Sequence, residues 1–240
     1  LMITRLVDLW IRRSWRPDPA ELAQWEGLRP AVVVTGGSEG LGFEIARQFA
    51  RRGRDVVLVA RRQEVLEAAA SVIRREFSTV VLALPLDVTS PDAAQKLEAV
   101  LREHGFYADV LVNNAGMGLS GAYIDEPGER IAALVDLNTR AVSLLIRHFL
   151  PGMCVRGHGG VLNIASLGGY TPGPYQAAYY ASKAYVISLT EAVAWEVRGR
   201  GVRVAVFAPG PISTEFHTRM GAESALYRWL IPAPGPSLMA

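Results

Sequence analysis

The order of the chain predicts an α/β fold built on a doubly wound parallel sheet in a single domain, with an N-terminal helical extension. Three observations carry this expectation. Six short runs are near-continuous in Val, Leu, Ile and Ala, as in strands covered on both faces. Longer stretches of helical periodicity alternate with them. A glycine-rich turn, Thr35-Gly36-Gly37-Ser38-Glu39-Gly40-Leu41-Gly42, joins the first strand to the first helix.

Residues 1–29 precede the first strand and form the extension, expected to be helical and carrying Trp10, Trp15 and Trp25. The body, residues 30–210, begins with the strand Ala31–Thr35 and the helix Leu41–Arg52. The strand Asp55–Ala60 and the helix Gln63–Phe77 follow, then the strand Val80–Leu86. Pro91 and Asp92 open a helix to His104, with Ser90 as the expected N-cap. Val110–Asn113, Val161–Ala165 and Val202–Phe207 read as strands, with helices expected over Arg130–Met153 and Ala177–Arg200. Residues 211–240 form an apolar segment and tail ending in the Pro/Gly-rich stretch Pro232–Pro236. No internal repeat interrupts this pattern.

Composition narrows the function classes. The 240 residues fit one large domain, and a hydrophobic share of 50% supplies a sizeable core. A net charge of +2 argues against a nucleic-acid surface. No apolar run reaches the roughly 18 residues a membrane span needs. Asp8, Arg12 and Arg13 break the apolar core that a signal peptide requires. The one cysteine, Cys154, forms no internal disulfide and fits a reducing compartment, so a cytoplasmic location is expected. His104, His148, His158 and His217 lack ligand spacing, and no metal site is expected.

The glycine-rich turn has the composition of an anion cradle. Unpaired N–H groups and the dipole at a helix N-terminus both favour phosphate. Gly36 takes a turn conformation that other residues avoid, Gly40 admits a pyrophosphate, and Gly42 lets the helix pack near the strand. The second strand ends in Ala60-Arg61-Arg62, where an NAD site carries an acid for the ribose hydroxyl. Two arginines suit a 2′-phosphate, which points to NADP(H). Glu39 is expected to point away from that phosphate.

Over about residues 30–215 the chain resembles the short-chain dehydrogenase/reductase family, of the NADP(H)-preferring YxxxK type. The resemblance rests on an ordered set of motifs. These are Thr35-Gly36-xxx-Gly40-x-Gly42, Asp87-Val88, Asn113-Asn114-Ala115-Gly116, Asn138, Ser166, Tyr179-Tyr180-Ala181-Ser182-Lys183, and Pro209-Gly210 with Thr214. It implies a Rossmann-like fold and a homo-oligomer, dimer or tetramer. Cofactor contacts are implied at Gly36, Ser38, Gly40, Leu41, Arg61, Arg62, Asp87, Val88, Asn114, Ala115 and Gly116. Tyr179, Lys183, Pro209, Gly210, Ile212 and Thr214 are implied to contact the nicotinamide half. Asn138, Ser166, Tyr179 and Lys183 are the implied catalytic set. Family members usually continue past the lid with a further helix and a seventh strand, and neither is recognisable before Ala240.

The residues supply the chemistry. Tyr179 and Lys183 are four apart and share one helix face. A free tyrosine has a pKa of about 10, and a neighbouring ammonium favours its phenolate. Tyr179 then gives a proton to the forming alkoxide in reduction and takes it back in oxidation. Ser166 is expected to polarise the carbonyl, Lys183 to hold the nicotinamide ribose, and Asn138 to anchor a water leading to Lys183. Tyr180 is only three residues from Lys183, so Tyr179 is preferred. The expected function is an oxidoreductase moving a hydride between NADP(H) and a carbonyl or secondary alcohol. The apolar residues Ile212, Phe216, Met220, Leu226, Tyr227, Trp229, Leu230 and Ile231 either cap a lipophilic ketone or acyl substrate or pack on the body or on another subunit.

Two other functions compete: a catalytically silent nucleotide-sensing or scaffold protein, and a membrane-surface reductase. The second rests on residues 1–16, where Ile3, Leu6, Val7, Trp10 and Ile11 make an apolar helical stripe beside Arg5, Arg12, Arg13 and Arg16. Docking of that stripe on the body or on a partner subunit is favoured over a membrane surface.

Overall fold

The computed structural model describes residues 19–212 and 235–240. Six strands form one sheet: β1 Arg29–Thr35, β2 Asp55–Ala60, β3 Val81–Pro85, β4 Phe106–Asn113, β5 Gly160–Ile164 and β6 Arg203–Phe207. Their order is β3-β2-β1-β4-β5-β6, and every neighbouring pair is parallel. The winding reverses between β1 and β4, which opens a crevice beyond their C-terminal ends.

Helices cover both faces. On one side α1 Gly40–Arg51 and α2 Gln63–Glu76 bury Ile45, Ala46, Leu66 and Ile73 against Val32, Val34 and Leu58. On the other, α3 Ala93–Glu103, α5 Val142–Arg156 and α6 Ala177–Glu196 bury Leu97, Leu145, Phe149, Met153 and Val186 against Val33, Val57 and Leu111. Val32, Val33 and Val34 thus serve alternate cores, which explains the unbroken apolar run of β1. Each fully buried Leu or Val contributes about 1.5–3 kcal/mol.

Four elements differ from the sequence expectations in their capping or by more than two residues. The helix expected over Arg130–Met153 is α4 Gly128–Val135, a π turn Asp136–Ala141, then α5. β4 begins four residues early because Asp109, only 8% exposed, is paired with Arg54 and with His158, and a satisfied carboxylate does not end a strand. Ser90 is not the N-cap of α3. Asp92 occupies that position, and Ser90 instead closes a turn through its carbonyl with the Ala93 N–H at 3.1 Å. α6 stops at Glu196, ahead of Gly199 and Gly201, both in the left-handed region.

Of the extension, a helical turn Pro19–Leu22 and a 3-10 turn Ala23–Trp25 are described, and the amphipathic residues 1–16 lie outside the described residues. The Trp25 ring stacks on the Arg156 guanidinium at 4.7 Å, and Arg102 donates to the Gln24 carbonyl at 2.9 Å. Among the described residues, no helix is long and apolar enough to cross a membrane, and no His, Cys, Asp and Glu cluster has metal-site geometry.

Candidate active site

The turn after β1 and the turn after β4 meet at the crevice, locked by two side chains. Thr35 Oγ1 accepts the N–H groups of Asn114 and Ala115, each at 3.0 Å. Asn114 Nδ2 donates to the carbonyls of Thr35 and Gly36 at 3.0 and 3.1 Å. Gly36 has φ +65° and Gly40 has φ +57°, conformations that favour glycine. A Cβ on Gly42 would lie 2.3 Å from Asn114 Nδ2 and 2.4 Å from the Gly36 carbonyl. Gly42 therefore leaves room for the Asn114 amide, a more specific task than the helix–strand packing read from sequence. α1 starts at Gly40 without a side-chain cap, so its first N–H groups remain directed toward the crevice. Ser38 is half-buried in this turn and Leu41 is buried beneath it.

At the far end of the crevice, Arg61 and Arg62 are both exposed. Glu39 does not point away as expected, because its carboxylate pairs with Arg62. Arg61 faces Asp87, whose carboxyl is held below its ordinary range. Burial alone would raise it, but two hydrogen bonds from Thr89, at 2.9 and 2.7 Å, and the Arg61 charge outweigh that. Val88 packs its side chain on the core beside them. Arg140, on the π turn, donates to the Thr89 carbonyl at 2.8 Å and steadies this loop.

At the other end, the expected catalytic residues lie on three adjoining elements. Asn138, 1% exposed, is carried by the π turn. Its Oδ1 accepts the Met117 N–H at 2.9 Å, and its Nδ2 donates to the Met117 carbonyl at 2.8 Å and to Ser182 Oγ at 3.0 Å. The amide thus clamps the turn after β4 to α6, and a water ligated by this side chain has only the second Oδ1 lone pair to use. Lys183 is 6% exposed and its Nζ donates to the Ile164 carbonyl at 2.9 Å. Burial lowers its ammonium from 10.5 to about 8. The Nζ lies 5.7 Å from the Tyr179 ring centroid. A Cβ on Gly116 would approach Asn138 Oδ1 to 3.3 Å and Lys183 Nζ to 3.6 Å, so the NNAG segment borders both groups.

Ser166 stands two residues beyond β5 and caps the 3-10 turn Leu167–Tyr170, where its Oγ accepts the Gly168 N–H at 3.1 Å. That contact uses a lone pair and leaves the hydroxyl proton to donate. Tyr180 is a packing residue: a Cβ on Gly168 or Gly173 would reach its ring at 3.1 or 2.4 Å. Pro209 and Ile212 are buried at the end of β6 beside Gly210, while Thr214 and the apolar segment through Ile231 lie outside the described residues. Sequence reasoning passed over Ser182, Met117 and Thr89, whose roles depend on partners distant in the chain. It also passed over the contact from the Gly121 N–H to the Tyr175 carbonyl, 2.8 Å, which joins the loops after β4 and β5. Tyr175 holds φ +63° there, unusual for a residue with a side chain.

This arrangement, a glycine-rich turn before a helix N-terminus at one end of the crevice and Tyr179, Lys183, Ser166 and Asn138 at the other, agrees with a family model. The model, described as short chain dehydrogenase, matches residues 30–225. The chain belongs to the short-chain dehydrogenase family.

The similarity of this short-chain dehydrogenase to known proteins is broad. Very-long-chain 3-oxoacyl-CoA reductase of Bos taurus is 35% identical over 188 residues, covering 77% of the chain. The chain spans 60% of the length of that relative. 7beta-Hydroxysteroid dehydrogenase of Clostridium sardiniense is 33% identical over 182 residues, 76% of this chain and 69% of that protein. A solved short-chain dehydrogenase from Sphingobium yanoikuyae, in complex with NADPH, is similar with a TM-score of 0.80 at 34% identity, covering 88% of this chain and 81% of that one. The residues present in this short-chain dehydrogenase fit such a dinucleotide. A Cβ on Gly36 or Gly42 would collide with Asn114, so glycine keeps the turn and its Asn114 lock in this shape, and the exposed Arg61 offers a positive charge that suits a phosphate.

Proposed function

We propose that this chain is an NADP(H)-dependent oxidoreductase that interconverts a carbonyl and a secondary alcohol, with Tyr179 as acid/base. The observation that carries the reading is the buried Lys183 ammonium set beside the Tyr179 ring. A cationic group in a site of low polarity acts strongly on a neighbouring phenol.

The residues divide the work. The N-terminus of α1, with Gly36, Ser38, Gly40 and Leu41, receives the pyrophosphate, and Arg61 leads Arg62 at the 2′-phosphate because Glu39 already neutralises Arg62. Asp87 and Val88 flank the adenine. Asn114, Ala115 and Gly116, with Pro209, Gly210 and Ile212, border the nicotinamide half. NADPH, when bound, supplies the hydride. Ser166 donates its hydroxyl to the substrate carbonyl and holds the developing negative charge. Tyr179 delivers its phenolic proton to that oxygen, which leaves an alcohol and a phenolate. Lys183 stabilises the phenolate until solvent returns the proton, and Asn138 holds α6 and the β4 turn in register around it.

The substrate side supports a lipophilic carbonyl compound, either a ketone or an acyl derivative. Tyr123, Ile124, Leu167, Tyr170 and Tyr175 are exposed on the two loops joined by the Gly121–Tyr175 contact. The relatives named for acyl-CoA and steroid substrates point the same way. The test is NADPH oxidation with propiophenone, a steroid ketone and a 3-oxoacyl thioester. Turnover with at least one, and none with equally sized alcohols, is the expected outcome, and an inactive panel with intact NADPH binding contradicts the reading.

A further inference from the structure

α6 is fastened to β5 at two points. One is the bond from Lys183 Nζ to the Ile164 carbonyl at 2.9 Å. The other lies seven residues along, where Asn163 Nδ2 donates to Thr190 Oγ1 at 2.8 Å and the Thr190 hydroxyl donates back to the Val186 carbonyl. Seven residues are two turns, a rise of about 10.5 Å, so both contacts fall on one face of the helix. Asn163 and Ile164 are the last two residues of β5. Asn163 also accepts from Asn113 Nδ2 at 2.8 Å, across the β4–β5 register pair. Asn113, Asn163 and Thr190 are 3%, 0% and 1% exposed.

An apolar core has no thermodynamic need for this row of amides and hydroxyl. Val186 and Ile187, between the two fastenings, make non-directional contacts that tolerate sliding and rotation. A hydrogen bond fixes direction and register. The Lys183 contact and the Asn138–Ser182 bond hold only the first part of α6, and the contact at Thr190 fixes its direction along β5.

We infer that Asn163 and Thr190 are positioning residues, which lock α6 onto the end of β5 at the angle where Lys183 and Tyr179 face the crevice. The inference rests on the proposed roles of those two residues. Among the described residues, Nζ has near it Tyr179 of its own helix, the Ile164 carbonyl of β5 and Gly116 from the turn after β4. Tyr179 is the titratable group among them.

The chain has two lysines, Lys96 and Lys183, so Lys183 is observable on its own. Lysine carrying ¹³C at Cε is incorporated into the full chain, and Lys96→Arg assigns the signals. Thr190→Val removes the hydroxyl at nearly constant volume. Its Lys183 signal is expected to titrate higher than in the parent, from about 8 toward 10.5, as Nζ leaves the Ile164 carbonyl for water. Its kcat on the best ketone of the panel is expected to fall at least about tenfold, with NADPH Kd within about threefold, because small misplacements are costly at the reacting centre. Thr190→Ser restores both readings. Should Thr190→Val fail to fold, Thr190→Cys, a weaker hydrogen-bonding group of similar size, gives the same changes at smaller amplitude. A lower Tm with unchanged kcat and an unchanged Lys183 titration overturns the inference. Tyr179→Phe assayed in parallel separates the two levels: if it stays active, the catalytic reading fails and takes the inference with it. If it is inactive while Thr190→Val behaves as the parent, only the positioning role fails.

Discussion

The Lys183 ammonium nitrogen lies 5.7 Å from the centroid of the Tyr179 ring, one turn back on the same helix. The lysine is buried and hydrogen-bonded to the Ile164 carbonyl, with no carboxylate partner among the described residues. Among the described residues, then, no anion neutralises the charge before it acts on the phenol. The fold supplies this pairing at the C-terminal edge of the sheet, beside the switch point between β1 and β4.

The lysine sets a pH dependence. Burial holds it at about 8, so near neutral pH it is largely charged and assists Tyr179. As pH rises through about 8 the charge is lost, the phenol becomes a weaker acid, and kcat for carbonyl reduction declines. A kcat profile level to pH 10 contradicts this. The same lowered pKa destabilises the fold while Lys183 is charged, so its contribution to stability improves as pH rises from about 8 toward 10.5. Thermal melts of the parent and of Lys183→Met across that range measure the difference.

Arg61→Ala is expected to cost about 1.5–3 kcal/mol of NADPH affinity and to leave NAD(H) affinity nearly unchanged. Arg62→Ala costs less, because Glu39 already occupies that guanidinium. Titration of both variants with both cofactors checks this. Equal losses for NADPH and NADH remove the 2′-phosphate assignment.

The extents of these elements show what a sequence carries. β2 was legible to the residue because apolar runs with turn signals on each side leave little choice. The ordered motifs placed Tyr179 and Lys183 because four-residue spacing fixes a shared face of α6. Asp109 hid the first half of β4, since its partners Arg54 and His158 come from other loops. The π turn around Asn138 has no periodic signature, and the Glu39–Arg62 pair joins residues on successive βα turns. Local pattern records none of these.

We propose a dimer through the outer faces of α5 and α6. Leu144, Tyr185 and Trp195 are exposed there, with Ser143 and Tyr185 bonded at 2.9 Å between the two helices. Sedimentation at micromolar concentration is expected to give twice the chain mass, and Leu144→Glu with Trp195→Glu to give a monomer. A parent protein that sediments as a monomer rules the dimer out.

The docked Trp25 favours packing of the N-terminal extension on the body over a membrane surface. Trp25→Ala is expected to lower stability by about 1–2 kcal/mol through lost apolar contact and the stack on Arg156. Deletion of residues 1–16 is expected to lower Tm without any vesicle binding in either form. Co-sedimentation of the intact chain with anionic vesicles, lost on deletion, reverses this preference.

Single-turnover reduction by Tyr179→Phe, with NADPH saturating and its Kd measured on the same sample, tests the acid/base assignment most directly. Losing the phenolic proton while keeping the ring, the variant is expected to bind NADPH as the parent does and to lose at least about 100-fold in the rate of hydride transfer. A variant that transfers hydride at the parental rate contradicts the central role of Tyr179.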